Sequence, residues 1–156
     1  MSTMTRHSQV HHDFTLERTF PVPVEKVWEA FTDKEAKRRW FANEIEGLTM
    51  TAYDDDFGVG GHGTNEGSFH GGPPHKFLCT YTDIVEHQRI VYTYDMWIGD
   101  AHISTSITTI VFEPFDGGTR LTFTEQGVHL DGHDNGEQRE QGTARLLDAM
   151  GATLEA

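Results

Sequence analysis

Three stretches of the chain carry residue types at spacings that belong to known site chemistry. Gly58-Val-Gly-Gly-His-Gly63 fits G-x-G-x-x-G, and Asp83 lies further on, where a dinucleotide-binding unit places the acid that holds the ribose. That chemistry needs a helix N-terminus directly after the glycines, because the pyrophosphate rests on its free N–H groups. The next residues, Thr64-Asn-Glu-Gly-Ser-Phe-His-Gly-Gly-Pro-Pro74, cannot form that helix, and Asp54-Asp-Asp56 in front of the glycines repels phosphate. A glycine-bent hairpin is the expectation, with no cofactor.

The histidines and aspartates invite a metal reading. His129 and His133 are four apart, the spacing that brings two imidazoles together on a helix, but Leu130-Asp-Gly132 between them includes a helix breaker, and no H-E-x-x-H is present. Asp131-Gly-His-Asp-Asn-Gly136 opens like a calcium loop, yet it has His133 at the third position and Gly142 where the bidentate Glu belongs. Asp54-Asp-Asp56 fails in the same way, with Val59 in place of the loop glycine. Solvated loops without metal are expected.

Nucleophile chemistry has as little support. Cys79 is the sole cysteine, which excludes an intramolecular disulfide, and its apolar-aromatic surroundings predict a buried, inert thiol. The chain has no G-x-S-x-G, P-loop or Cys–His pairing motif, so no catalytic residue is assigned. Two charges fall on apolar strand faces: Glu125 beside Leu121 and Phe123, and Arg18 beside Phe14, Leu16 and Phe20. Such a charge is either a strand-end group reaching solvent or a paired group lining a cavity. Strand-end is the expectation for Glu125, and both readings stay open for Arg18.

The elements that would position these residues can be read from periodicity. Phe14–Phe20 alternates like a half-buried strand, and Pro21 and Pro23 stop it. Val24, Val27, Trp28 and Phe31 then make one face of a short helix, and Asp33 can cap a second helix carrying Ala36, Trp40 and Phe41. From about Glu46 to Gln126 the pattern is strand only, punctuated by glycine and proline. Lys76–Val85, Ile90–Trp97, His102–Phe112 and Thr119–Gln126 are rich in β-branched and aromatic residues, and their short connections imply antiparallel neighbours. Ile103, Ile107 and Val111 share one face of their strand, with His102, Ser104, Ser106 and Thr108 opposite.

The final segment changes period. Asp134-x-x-Glu137 resembles a capping box, and Ala144, Leu147, Met150 and Leu154 form an apolar stripe beyond it. A helix of that length needs the strands as partner surface. The fold class is therefore α+β: a curved antiparallel sheet around a long C-terminal helix, in the order β-α-α-β-β-β-β-β-β-α. Residues 1–13 are polar and His-bearing and read as a flexible N-terminal arm, with 14–156 as one domain.

The chain has 156 residues, with 25 acids against 12 bases and a net charge of −13, a field that disfavours nucleic acid and anionic lipid as partners. No apolar stretch approaches the roughly 20 residues needed for membrane insertion, and Met1–Asp13 lacks the apolar centre of a signal peptide, so a cytoplasmic location is expected by elimination.

Phe14-Thr-Leu-Glu-Arg-Thr-Phe-Pro-Val-Pro-Val-Glu-Lys-Val-Trp-Glu-Ala-Phe-Thr-Asp33 resembles the opening of the START-like, or SRPBCC, superfamily. Trp40, Phe57-Gly-Val-Gly-Gly61, Tyr81–Tyr94, Gly118-Thr-Arg-Leu-Thr-Phe-Thr-Glu125 and the terminal Leu-Leu-Asp-Ala-Met are similar to the branch named for activators of the heat-shock-protein-ninety ATPase. The likeness spans roughly Phe14 to Leu154. It implies a helix-grip fold whose sheet and terminal helix enclose a cavity for a small apolar or amphipathic molecule. The eukaryotic co-chaperones of that branch carry a separate N-terminal domain with a Trp-His-Trp motif, and neither is read here. Expected liners are Trp40, Tyr81, Tyr92, Tyr94, Phe123, Leu147 and Met150, with His102 or Glu125 as polar anchors. A chaperone partner and a cyclase- or hydrolase-like activity in the same cavity are the alternatives, and a homodimer stays open.

Overall fold

The computed structural model describes residues 6–155. Its first strand, β1 (Gln9–Phe20), starts earlier than the side-chain pattern announces, because Gln9–Asp13 pairs in register with Leu130–Gln126 of the last strand. The backbone hydrogen-bonds there whatever the side chains are, so the polar, His-bearing half of the expected arm belongs to the sheet. Met1–Thr5 of that arm lie outside the described residues.

Helix α1 (Val24–Thr32) buries Val24, Val27, Trp28 and Phe31, the expected face. Asp33 caps α2 (Lys34–Phe41), its carboxylate accepting from Ala36 N at 3.4 Å. Trp40 Nε1 donates to Ala30 O at 2.9 Å, which folds α2 back on α1. Six strands come next: β2 (Leu48–Asp55), β3 (His62–Phe69), β4 (His75–Val85), β5 (Arg89–Ile98), β6 (Ala101–Phe115) and β7 (Gly118–Leu130). All pairings are antiparallel, in the order β1-β7-β6-β5-β4-β3-β2, so a meander runs from β2 to β7 and β1 closes the far edge. Gly58 and Gly60 of the G-x-G-x-x-G match lie in the turn between β2 and β3, and Gly63 is already in β3. A Cβ on Gly61 would collide with Asp56 O, so that position admits only glycine, and the turn leads into a strand rather than a helix.

Helix α3 (Gly136–Leu154) lies across the concave face, with Leu147 and Met150 fully buried. Its cap is Asn135, which accepts from Gln138 N at 2.9 Å, and not Asp134 as the capping-box pattern implied. Asp134 is drawn instead into bonds with His129 and Arg139. An aromatic core of Trp28, Phe31, Trp40 and Phe112, meeting edge to face, fills the end of the sheet under α1 and α2. Among the described residues no helix is long and apolar enough to cross a membrane.

On β6 the inward face is the hydroxyl one. Ser104, Ser106 and Thr108 are fully buried, whereas Ile107 is 46% exposed on the convex side. Two of the three hydroxyls are satisfied there, Ser104 by Arg139 and Thr108 by Glu125, whereas Ser106 Oγ has no partner among the described residues.

Candidate functional site

A cavity of about 660 Å³ lies between the concave sheet face and helices α2 and α3. Strand alternation supplies its wall: Phe77 and Tyr81 from β4, Tyr92, Tyr94 and Met96 from β5, and Ile110 from β6 point inward. Leu147 and Leu146 of α3 form the opposite side. Phe69 and Ile98 line the cavity yet are 52% and 37% exposed, which marks the mouth between the β3–β4 and β5–β6 turns and α3.

Two polar clusters interrupt the apolar wall. At the first, Tyr94 OH donates to Glu125 Oε1 at 2.7 Å, and Thr108 Oγ1 reaches the same oxygen at 3.5 Å. Arg139 Nη1 donates to Tyr94 OH at 2.9 Å and stands 3.8 Å from Glu125 Oε2. Its Nη2 donates to Ser104 Oγ at 2.8 Å and Asp134 Oδ2 at 2.7 Å, and Asp134 Oδ1 lies 2.8 Å from His129 Nδ1. Burial raises the Glu125 carboxyl above its ordinary range, against the opposing pull of Tyr94 and Arg139. The Tyr94 hydroxyl is raised as well, first by burial and then by the Glu125 charge, so it stays a proton donor.

The second cluster lies below α2. Lys37 Nζ donates to Tyr81 OH at 3.0 Å and pairs with Asp55 Oδ2 at 3.3 Å, while Tyr81 OH donates to Asp55 Oδ1 at 2.6 Å. The Lys37 and Asp55 side chains are almost wholly buried. The Lys37 charge also sits 4.8 Å from the centre of the Phe41 ring, a cation–π contact that offsets part of its desolvation. Burial raises the Tyr81 hydroxyl strongly, so it too remains protonated. Neighbouring Asn65 donates to Phe41 O at 2.9 Å.

The structure brings seven of the nine residues named from sequence to the cavity wall: Trp40, Tyr81, Tyr92, Tyr94, Phe123, Glu125 and Leu147. Glu125 is 3% exposed and is no strand-end group, which corrects the expectation for it. Met150 is fully buried in packed core, one helical turn beyond Leu147 and off the cavity wall. His102 is on the convex face, where it stacks on Trp97 at 5.2 Å and lies 3.0 Å from Asp95 Oδ1. A β-bulge explains the reversal: Met96 pairs with Ser104 but Trp97 pairs with His102, so the alternation changes face between them. Arg18 pairs with Asp148 of α3 at 3.1 Å, outside the cavity wall.

Sequence reasoning missed Lys37, Asn65, Asp134 and Arg139. Helical spacing carried a signal for two of them. Lys37 is three and four residues before Trp40 and Phe41, and Arg139 shares the face of Thr143 and Leu147. Cys79 is buried, and burial pushes its thiol up, away from the reactive thiolate.

A seven-stranded antiparallel sheet gripping a C-terminal helix over an internal cavity is the helix-grip, START-like class of protein. The chain belongs to the family described as activator of Hsp90 ATPase homolog 1-like protein, whose pattern it matches over residues 21–155. Solved structures agree. An uncharacterised protein of Rhizobium leguminosarum is 40% identical, with 97% of this chain and 99% of that one covered and a TM-score of 0.92. A Rhizobium loti protein is 42% identical over 94% and 99% of the two chains, with a TM-score of 0.87. A Chromobacterium violaceum protein is 28% identical over 92% and 97%, with a TM-score of 0.76. Comparison with curated proteins finds no match.

Proposed function

We propose that this protein binds a small, mainly apolar molecule in the cavity between sheet and α3. The observation that carries the reading is the cavity itself, about 660 Å³ with an aromatic and aliphatic wall and a few convergent polar groups. An apolar ligand that fills a cavity of that size gains dispersion contacts with its aromatic and aliphatic wall. Gly142 gives the test its handle, because no atom lies within 4 Å of a Cβ built there and the residue lines the cavity. The neutral dye Nile red should partition into the protein with a blue-shifted, enhanced emission, and Gly142→Trp should abolish this while the fold is kept. Dye uptake unaffected by Gly142→Trp, or absent from the parent protein, would count against the reading.

A second reading, an enzyme that moves protons in the same cavity, has one observation in its favour. Glu125 is a buried carboxyl with a raised pKa beside a tyrosine hydroxyl and an arginine. It would require Glu125→Gln to remove turnover while leaving ligand affinity in place. Regulation of a chaperone ATPase rests on the family's description alone, and stimulation of a purified chaperone's ATPase rate would support it.

A further inference from the structure

The hydrogen bonds already made inside the cavity wall narrow the chemistry of what it can hold. Four charged side chains reach that wall, Lys37 and Arg139 against Glu125 and Asp134. Three of them are occupied by the protein. Lys37 is taken up by Tyr81 and Asp55, Arg139 by Tyr94, Ser104 and Asp134, and Asp134 by Arg139 and His129. Glu125 is the exception. Its Oε1 accepts from Tyr94 and Thr108, but its Oε2 makes no hydrogen bond among the described residues, and the nearest cation, Arg139 Nη1, is 3.8 Å away. The side chain is 4% exposed, and the little surface it keeps faces the cavity, so a donor to Oε2 comes from what the cavity holds. A carboxylate oxygen to which no protein group donates is expensive in so apolar a wall, and it faces the cavity.

We infer that the cavity selects a neutral molecule whose alcohol or amide N–H donates one hydrogen bond to Glu125 Oε2, and that it rejects both carboxylates and ammonium ions. The inference rests on the ligand-binding reading. A carboxylate would meet Glu125 and Asp134 while both cations are already engaged. An ammonium ion drawn to Oε2 would be held against the Arg139 guanidinium, whose Nη1 is 3.8 Å from that oxygen. Only an uncharged donor completes the unmade bond without stranding a like charge, so exclusion of both ions is built into the site.

The test is displacement of bound Nile red near neutral pH by four ligands of one chain length: 1-decanol, decyl methyl ether, decanoate and decylammonium. Decanol should bind about tenfold more tightly than the ether, since a single hydrogen bond to a charged group is at stake, and more tightly than either ion. Glu125→Gln keeps the side chain's shape and removes its charge, so it should narrow the gap between decanol and decanoate by about tenfold. If that variant does not fold, the ranking on the parent protein decides alone. Equal binding of alcohol and ether, or tighter binding of either ion, overturns this inference and leaves the cavity reading standing. Failure of Nile red to bind at all removes the cavity reading itself.

Discussion

Arg139 makes three hydrogen bonds from one guanidinium and stands between two carboxylates. Removing it strands buried Glu125 and half-buried Asp134, and an uncompensated buried charge costs about 3–5 kcal/mol. Arg139→Ala should therefore lower the urea midpoint sharply. Arg18→Ala, which breaks a largely exposed pair with Asp148, should cost about 1 kcal/mol or less. Glu125 adds a pH signature. Its folded pKa is raised above the ordinary 4.5, so the folded state binds more protons than the unfolded state between those two values. The contribution of this group to stability is thus fullest below 4.5 and is lost as pH rises through the folded pKa. Urea titrations of parent and Glu125→Gln across the mildly acidic range should show that decline in the parent and a flatter profile in the variant. The same slope in both would mean Glu125 is not the titrating group.

The small residues of α3 have different surroundings, so they predict different outcomes. Gly142 faces open cavity, and Gly142→Ala should stabilise by about 0.5–1 kcal/mol because the helix gains a better former without a clash. A Cβ on Gly151 would meet the Phe20 ring at 3.1 Å, so Gly151→Leu should overpack the core and cost about 1–3 kcal/mol. Thermal melts of the two variants should move in opposite directions. At the helix start, Asn135→Ala should cost about 1 kcal/mol as an ordinary lost cap. Asp134→Ala should cost more, because it also releases Arg139 and His129. A capping-box pattern cannot separate these two neighbours. Both are acceptable caps, and only the position of His129 on β7 shows which one is claimed elsewhere.

For the whole molecule, the concave face and α3 are each incomplete alone. The helix provides Leu147 and Met150 to the core and Arg139 to the buried polar cluster, and among the described residues no other segment covers the sheet there. Ending the chain at Asn135 should thus expose the aromatic face and leave Glu125 without its cation. Loss of near-ultraviolet circular dichroism and of a cooperative melt is the expected result. Retention of a sharp transition by residues 1–135 would show that the sheet folds without the helix it grips.

The element order, the two short helices after β1 and the α3 stripe were legible in the sequence because period and punctuation are local properties. So were the wall positions of Trp40, Tyr81, Tyr92, Tyr94 and Leu147, since aromatic alternation on β4 and β5 and helical spacing on α2 and α3 name a face. The sequence did not say which face of β6 turns inward. There Ser104 and Thr108 turn inward and Ile107 outward, because Arg139 and Glu125 arrive from α3 and β7 to bond the hydroxyls. Nor did it show the bulge that sends His102 outward, which depends on how β5 and β6 register against each other. Glu125 reads in sequence as a charge near a strand end. It becomes a buried acceptor only when Tyr94, Thr108 and Arg139, from three other elements, close around it. Local pattern determines which segments become strands and helices and which of their faces are apolar. Pairing register and side chains distant in sequence decide which polar group each face ends up burying, and so what the cavity can bind.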